Sequence, residues 1–98
     1  MSSSGPGMPF DSSSTFSLTA GCETSFMADG IVVYQVTREK VHYLNPAAAI
    51  VYRLCGDRAS VEQITDYLQR TFSLQGPPRL EVHQCIEQFL AEELIVPC

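Results

Sequence analysis

Apolar residues along this chain fall first into short β-prone runs and then, from about residue 46, recur at three- and four-residue intervals. In "ETSFMADGIVVYQVTREKVHYL" the Asp29-Gly30 pair is a two-residue turn signal, because Gly accepts positive φ and Asp tolerates it. Ile31 to Val36 is the strongest strand, with four β-branched residues and a Tyr. A polar turn at Thr37 to Glu39 leads into a third run, Lys40 to Leu44, and the three runs predict an antiparallel meander. Alternation along the third run places Val41 and Tyr43 on one face and Lys40, His42 and Leu44 on the other.

Three helix signals follow. Asn45 can cap the first helix, and Pro46 suits its first position, where a missing N–H costs nothing. Ala47 to Leu54 propagates it, and Gly56 is placed to end it. Ser60 with Gln63 forms a capping box for the second helix, whose apolar stripe is Val61, Ile64, Leu68 and Phe72. "SLQGPPR" breaks the chain. From about Pro78 a third helix is expected to run to Leu94, with Val82, Ile86, Phe89, Leu90 and Leu94 on one side.

A three-stranded antiparallel sheet followed by three α-helices makes an α+β domain, and the second and third helices with strands beside them resemble a winged helix-turn-helix. Residues 1–17 are rich in Ser, Gly and Pro and read as a flexible tail, with Met8 a candidate natural start. Residues 18–98 then form one domain, the expectation for 98 residues.

Charge changes the winged-helix picture. Six basic against eleven acidic side chains give a net charge of −5, whereas nucleic-acid binding depends on Lys and Arg placed on phosphates. Glu81, Glu87, Glu92 and Glu93 make the third helix acidic, and phosphates line both walls of the groove such a helix would enter. A DNA-binding regulator is therefore disfavoured.

No apolar run is long enough to span a bilayer, and the N-terminus lacks the basic and hydrophobic regions of a secretory signal. A cytoplasmic location is expected, with Cys22, Cys55, Cys85 and Cys98 as thiols. No Cys-x-x-Cys pair, Gly-rich phosphate loop, His-Glu-x-x-His or nucleophile elbow occurs, so neither a metal nor a cofactor is expected. Cys55 with His42 or His83 is the nearest approach to a nucleophile and base. However, Cys55 ends a helix, where the dipole disfavours a thiolate.

The stretch "YLNPAAAIVYRLC" followed by "SVEQI" resembles the PqqD-like family, the peptide-recognition domains of ribosomally made, modified peptides. The matching positions are Leu44, Asn45, Ala48, Val51 and Leu54, the Gly56-Asp57 turn, then Ser60, Val61 and Ile64; "FLAEELIV" is similar to the family's ending. Two positions depart from the pattern. The turn reads Gly-Asp rather than Asp-Gly, and the Gly before the final aliphatic pair is absent.

The resemblance implies a non-enzymatic adaptor that binds the leader of a precursor peptide and presents it to a separate modifying enzyme or leader protease. The leader would add as a strand to the third run, at Lys40, Val41, His42 and Tyr43. Its side chains would enter a groove walled by Val82, His83 and Ile86 of the third helix, with Phe89 a further candidate. If Glu87 lines that groove, the leader should not be strongly acidic opposite it, while Arg38, Lys40 and His42 could receive an acidic residue. A homodimer through the same edge strand is the remaining alternative.

Overall fold

The architecture is taken from a computed structural model, which describes residues 10–97. Residues 1–9 of the expected tail, the candidate start Met8 and the thiol Cys98 lie outside the described residues. In chain order the elements are β1 (Phe16–Leu18), β2 (Cys22–Met27), β3 (Gly30–Gln35), β4 (Lys40–Leu44), α1 (Pro46–Gly56), α2 (Val61–Thr71), α3 (Arg79–Ala91) and β5 (Ile95–Pro97).

The meander forms as expected: β2, β3 and β4 make one antiparallel sheet in that order. Val33 stands opposite His42, and Tyr34 opposite Val41. Its inner face carries Ile31, Val33 and Leu44 into the core, together with the polar Gln35. Strand alternation turns Val41 and Tyr43 outward, where they are 67% and 54% exposed. Gly30 has to be glycine, because its φ is 152° and a Cβ there would meet the Leu44 carbonyl oxygen.

The helices stack on the inner face, burying Ala49, Val51, Tyr52 and Cys55 of α1, Val61, Ile64 and Leu68 of α2, and Val82, Ile86 and Phe89 of α3. Asn45 and Ser60 cap α1 and α2 as their positions predict, at 2.9 Å from the Ala48 N–H and 3.1 Å from the Gln63 N–H. The Gln63 side chain accepts reciprocally from the Ser60 N–H. Phe72 departs from the expected stripe: it caps the end of α2 and stays exposed.

The end of α1 also differs from the sequence expectation. Gly56 lies inside the helix, and a Cβ there would come within 3.0 Å of the Leu18 side chain. Its smallness admits β1, while Arg58 adopts the left-handed turn conformation at φ 61°. Glu93 does the same after α3, at φ 60°. There the Glu93 and Leu94 N–H groups close the helix on the carbonyls of Leu90 and Phe89. The missing Gly before the final aliphatic pair thus falls at Glu93, which holds a turn that glycine would hold without strain, as Arg58 does after α1.

The expected tail ends earlier than residue 17. Phe16 is buried, and β1 pairs antiparallel with β5 in a small second sheet. Phe10 is buried as well, edge-on to the Phe16 ring at 5.7 Å. The carbonyls of Ser14 and Ser12 accept from the N–H groups of Val61 and Glu62 at 3.1 and 2.9 Å. The strap from residue 10 to 18 therefore satisfies two amides at the start of α2 that Ser60 does not reach. Composition alone hides this, because Ser-rich segments can supply backbone carbonyls as readily as they can stay solvated.

Candidate functional site

Among the described residues strand β4 pairs only with β3, which leaves its other edge free in the sheet order. Alongside that edge runs α3, in the opposite direction, so that Cys85 lies near the Asn45 end of β4 and Glu92 near the Lys40 end. The two elements enclose an open groove of about 420 Å³. Its strand side is Val41 to Leu44, its end is Asn45 and Ala48, and its helix side is Cys85, Gln88, Phe89 and Glu92.

A chain of polar contacts fixes the Lys40 end. Gln35 is buried, and its amide Nε2 donates to the Glu92 carbonyl at 3.0 Å. That carbonyl also receives Arg38 Nη1 at 2.9 Å, and Arg38 reaches the Glu93 carboxylate at 3.5 Å. Lys40 Nζ stands 3.8 Å from the Glu92 carboxylate. With its NH2 group committed to a carbonyl, Gln35 presents Oε1 to His42 Nε2 at 2.6 Å. Neutral His42 therefore carries its proton on Nε2, leaving Nδ1 as an acceptor. Tyr43 is held from the other face, its hydroxyl donating to the Asp29 carbonyl at 2.8 Å.

The groove's thiol is not an activated nucleophile. Burial, and then the nearby Glu81 charge, push the Cys85 pKa up. Cys55 beneath it is pushed up to about 12, again chiefly by burial. Thiols in such surroundings stay protonated at neutral pH. Among the described residues no group of three or more His, Cys, Asp or Glu could hold a metal ion, and no helix is long and apolar enough to cross a membrane.

Of the site residues expected from sequence, the structure brings Val41, His42 and Tyr43 to the groove, with Lys40 at its end. The α3 residues need correction. Val82 and Ile86 are fully buried, so they form the core beneath the groove rather than its wall. Cys85 stands roughly half a turn around α3 from both His83 and Glu87. His83 instead packs on Phe10 of the strap, with ring centres 5.0 Å apart. Glu87 is exposed and lines no part of the groove. Glu92 is the acidic residue that does, and Arg38 and Lys40 are engaged with Glu92 and Glu93. Sequence reading missed Cys85, Gln88 and Glu92, which recur at i, i+3 and i+7 beside the apolar stripe; that spacing is the signal that could have marked them.

Comparison with known proteins agrees with this architecture. No curated protein matches the chain. Among solved structures, a lasso peptide synthetase B1 complexed with the leader peptide superposes with a TM-score of 0.66 at 16% identity, over 84% of this chain and 98% of that one. TbiB1 in complex with the TbiA(beta) leader peptide superposes with a TM-score of 0.64 at 13% identity, over 81% and 93%. At such identities the likeness establishes a shared fold. The sequence model of the family described as coenzyme PQQ synthesis protein D (PqqD) matches residues 30–95, from the start of β3 to the start of β5. That span is more than half of the chain, and the protein belongs to the PqqD family.

Proposed function

We propose that this protein is a non-enzymatic adaptor that holds the leader segment of a precursor peptide in the β4–α3 groove and presents the rest of the peptide to a separate modifying enzyme or leader protease. The observation that carries this reading is the groove itself: an unpaired strand edge with a helix wall beside it, in a member of the PqqD family. Two proteins of the same fold are known in complex with leader peptides, which supports the same ligand class here. A free edge offers N–H and C=O groups to an extended peptide, and the wall receives alternate side chains.

The energetics require both parts. Ladder hydrogen bonds contribute about 0.5–1.5 kcal/mol net each, while association costs about 4–15 kcal/mol in lost freedom. A few backbone bonds alone give no useful affinity. Apolar leader side chains packed on Ala48, Cys85 and Phe89 supply the remainder, at roughly 1.5–3 kcal/mol per buried large residue. His42 Nδ1, Gln88 and Glu92 add polar recognition at the other end of the groove.

The test is titration with a synthetic leader, taken from a precursor-sized reading frame sought beside this chain's gene and N-methylated at one backbone position at a time. Strand addition predicts a period-two pattern: methylation at alternate residues abolishes binding and at the residues between them leaves it intact. Failure to bind, or indifference to methylation at every position, overturns the reading.

A further inference from the structure

The groove does not stop at Asn45. Beyond it, α1 and α3 continue to a second hollow of about 340 Å³, lined by Ala47, Leu68, Phe72, Leu74, Pro78 and Glu81. The two hollows have no lining residue in common but draw on adjacent positions of α1 and α3. Ala47 is the neighbour of Ala48, and Glu81 sits one helical turn before Cys85 on the same face of α3. The lining of the second hollow is almost wholly carbon, unlike the mixed groove.

Its rim keeps large apolar side chains in water. Phe72 and Leu74 are 43% and 41% exposed. Neither belongs to the buried core, whereas Leu68 at the floor of the hollow does. Contiguous exposed apolar residues around a concavity mark a place where something docks.

We propose that this hollow is a second subsite of the leader groove, and that it takes a large apolar side chain from the N-terminal flank of the bound leader. The inference rests on the groove reading above. Direction follows from the strand: β4 runs from Lys40 toward Asn45 and this hollow, and a strand continuing the antiparallel sheet runs the other way. The leader residues that precede the paired segment therefore pass Ala47 and Glu81. Spanning one turn of α3, about 5.4 Å, takes roughly two extended residues at about 3.3 Å each. The apolar anchor lies two to four residues before the segment that pairs with β4. Glu81 at the threshold has no salt-bridge partner among the described residues, so its charge disfavours an acidic residue at that crossing.

The chain contains no Trp, so a leader carrying one Trp at the anchor position reports on this hollow without background. The adjacent-frame leader is compared with a copy shortened by its N-terminal flank, against the full chain and its Leu74→Ser and Phe72→Ser variants. Shortening the peptide, or either substitution, is expected to weaken binding about tenfold, the effect of one large apolar side chain losing its burial. Neither substitution should weaken the shortened peptide further. The Trp emission should move to shorter wavelength on binding to the parent chain and much less on binding to Phe72→Ser. Equal affinity of the long and short peptides overturns the proposal, as does a substitution that weakens both peptides equally. Loss of the N-methylation pattern would instead overturn the groove reading, so the two failures are distinguishable.

Discussion

Among the described residues the three-stranded sheet has two free edges, and they differ in what stands beside them. Strand β2 at one edge is exposed along most of its length; the hollow beside it is about 260 Å³, with Thr24, Phe26, Arg53 and Asp57 in its lining. The Arg53 guanidinium lies 5.9 Å from the Phe26 ring centre. Arg53 of α1 thus places a charge against a side chain of this edge strand, and charged groups at an edge are one way that proteins blunt exposed strands. Strand β4 has the larger groove, lined by the half-buried Cys85 and Ala48, and its end is tied down by Gln35, Arg38 and Glu92. Unpaired backbone is common to both edges. Both also face a helix, α1 at β2 and α3 at β4; what separates them is the larger hollow at β4 and, at β2, the Arg53–Phe26 contact.

The sharpest way to break this contrast is to fill the groove. Cys85→Phe puts a ring where leader side chains are proposed to lie, and we expect leader affinity to fall about a hundredfold, corresponding to ~2.7 kcal/mol. Thr24→Lys, which loads the β2 edge with charge, should leave leader affinity unchanged. Calorimetric titration checks both, and thermal melts establish that each variant folds. Weakening by Thr24→Lys with none by Cys85→Phe would move the site to the wrong edge of the sheet.

The sequence made β4 legible and α3 only half so, for a geometric reason. Period-two alternation gives each strand residue one of two faces, and the Asn45-Pro46 cap fixes where β4 stops. The order and antiparallel pairing of the sheet followed from the same runs. A helix has an apolar stripe with two rims. On α3 one rim is Cys85, Gln88 and Glu92, and the other is His83 and Glu87. Periodicity finds the stripe of Val82, Ile86 and Phe89 but cannot choose between the rims, because that depends on which side β4 lies. The folded chain puts β4 on the Cys85 rim and the strap on the His83 rim. The strap and β5 were missed for a related reason. Three-residue strands carry too few alternating positions to read, and the ordering of residues 10–18 comes from contacts with residues distant in sequence.

A second difference between the edges is Gln35, a buried polar side chain beneath the β4 groove. Replacing it with Leu keeps the volume close but removes the partner of His42 Nε2 and one of two donors to the Glu92 carbonyl. Stability should drop by about 1–3 kcal/mol, the cost of leaving such groups unsatisfied, as chemical denaturation would show. The His42 ring should also lose its fixed Nε2–H tautomer, which nitrogen chemical shifts report directly. An unchanged tautomer in Gln35→Leu would mean that the polar chain does not orient this side of the groove.

The smallest effect sharpens the contrast from the other direction, by separating binding from stability. Glu93 holds a left-handed conformation just past α3, next to the residue that caps the groove's polar end. An L side chain costs roughly 1–2 kcal/mol in that region, and Gly returns part of the gain through the greater freedom of the unfolded chain. The exposed Arg38–Glu93 pair, at 3.5 Å, contributes little to set against it. Glu93→Gly should therefore stabilise the protein by about 0.5–1 kcal/mol, seen as a rise of a few degrees in melting temperature. Arg58→Gly, in the same conformation after α1 and far from the β4 edge, should do the same. Leader affinity should be unmoved in both, since neither residue lines the groove. A destabilised Glu93→Gly alone would show that Arg38 and Glu93 hold the end of α3 more firmly than the strain of the turn opposes it.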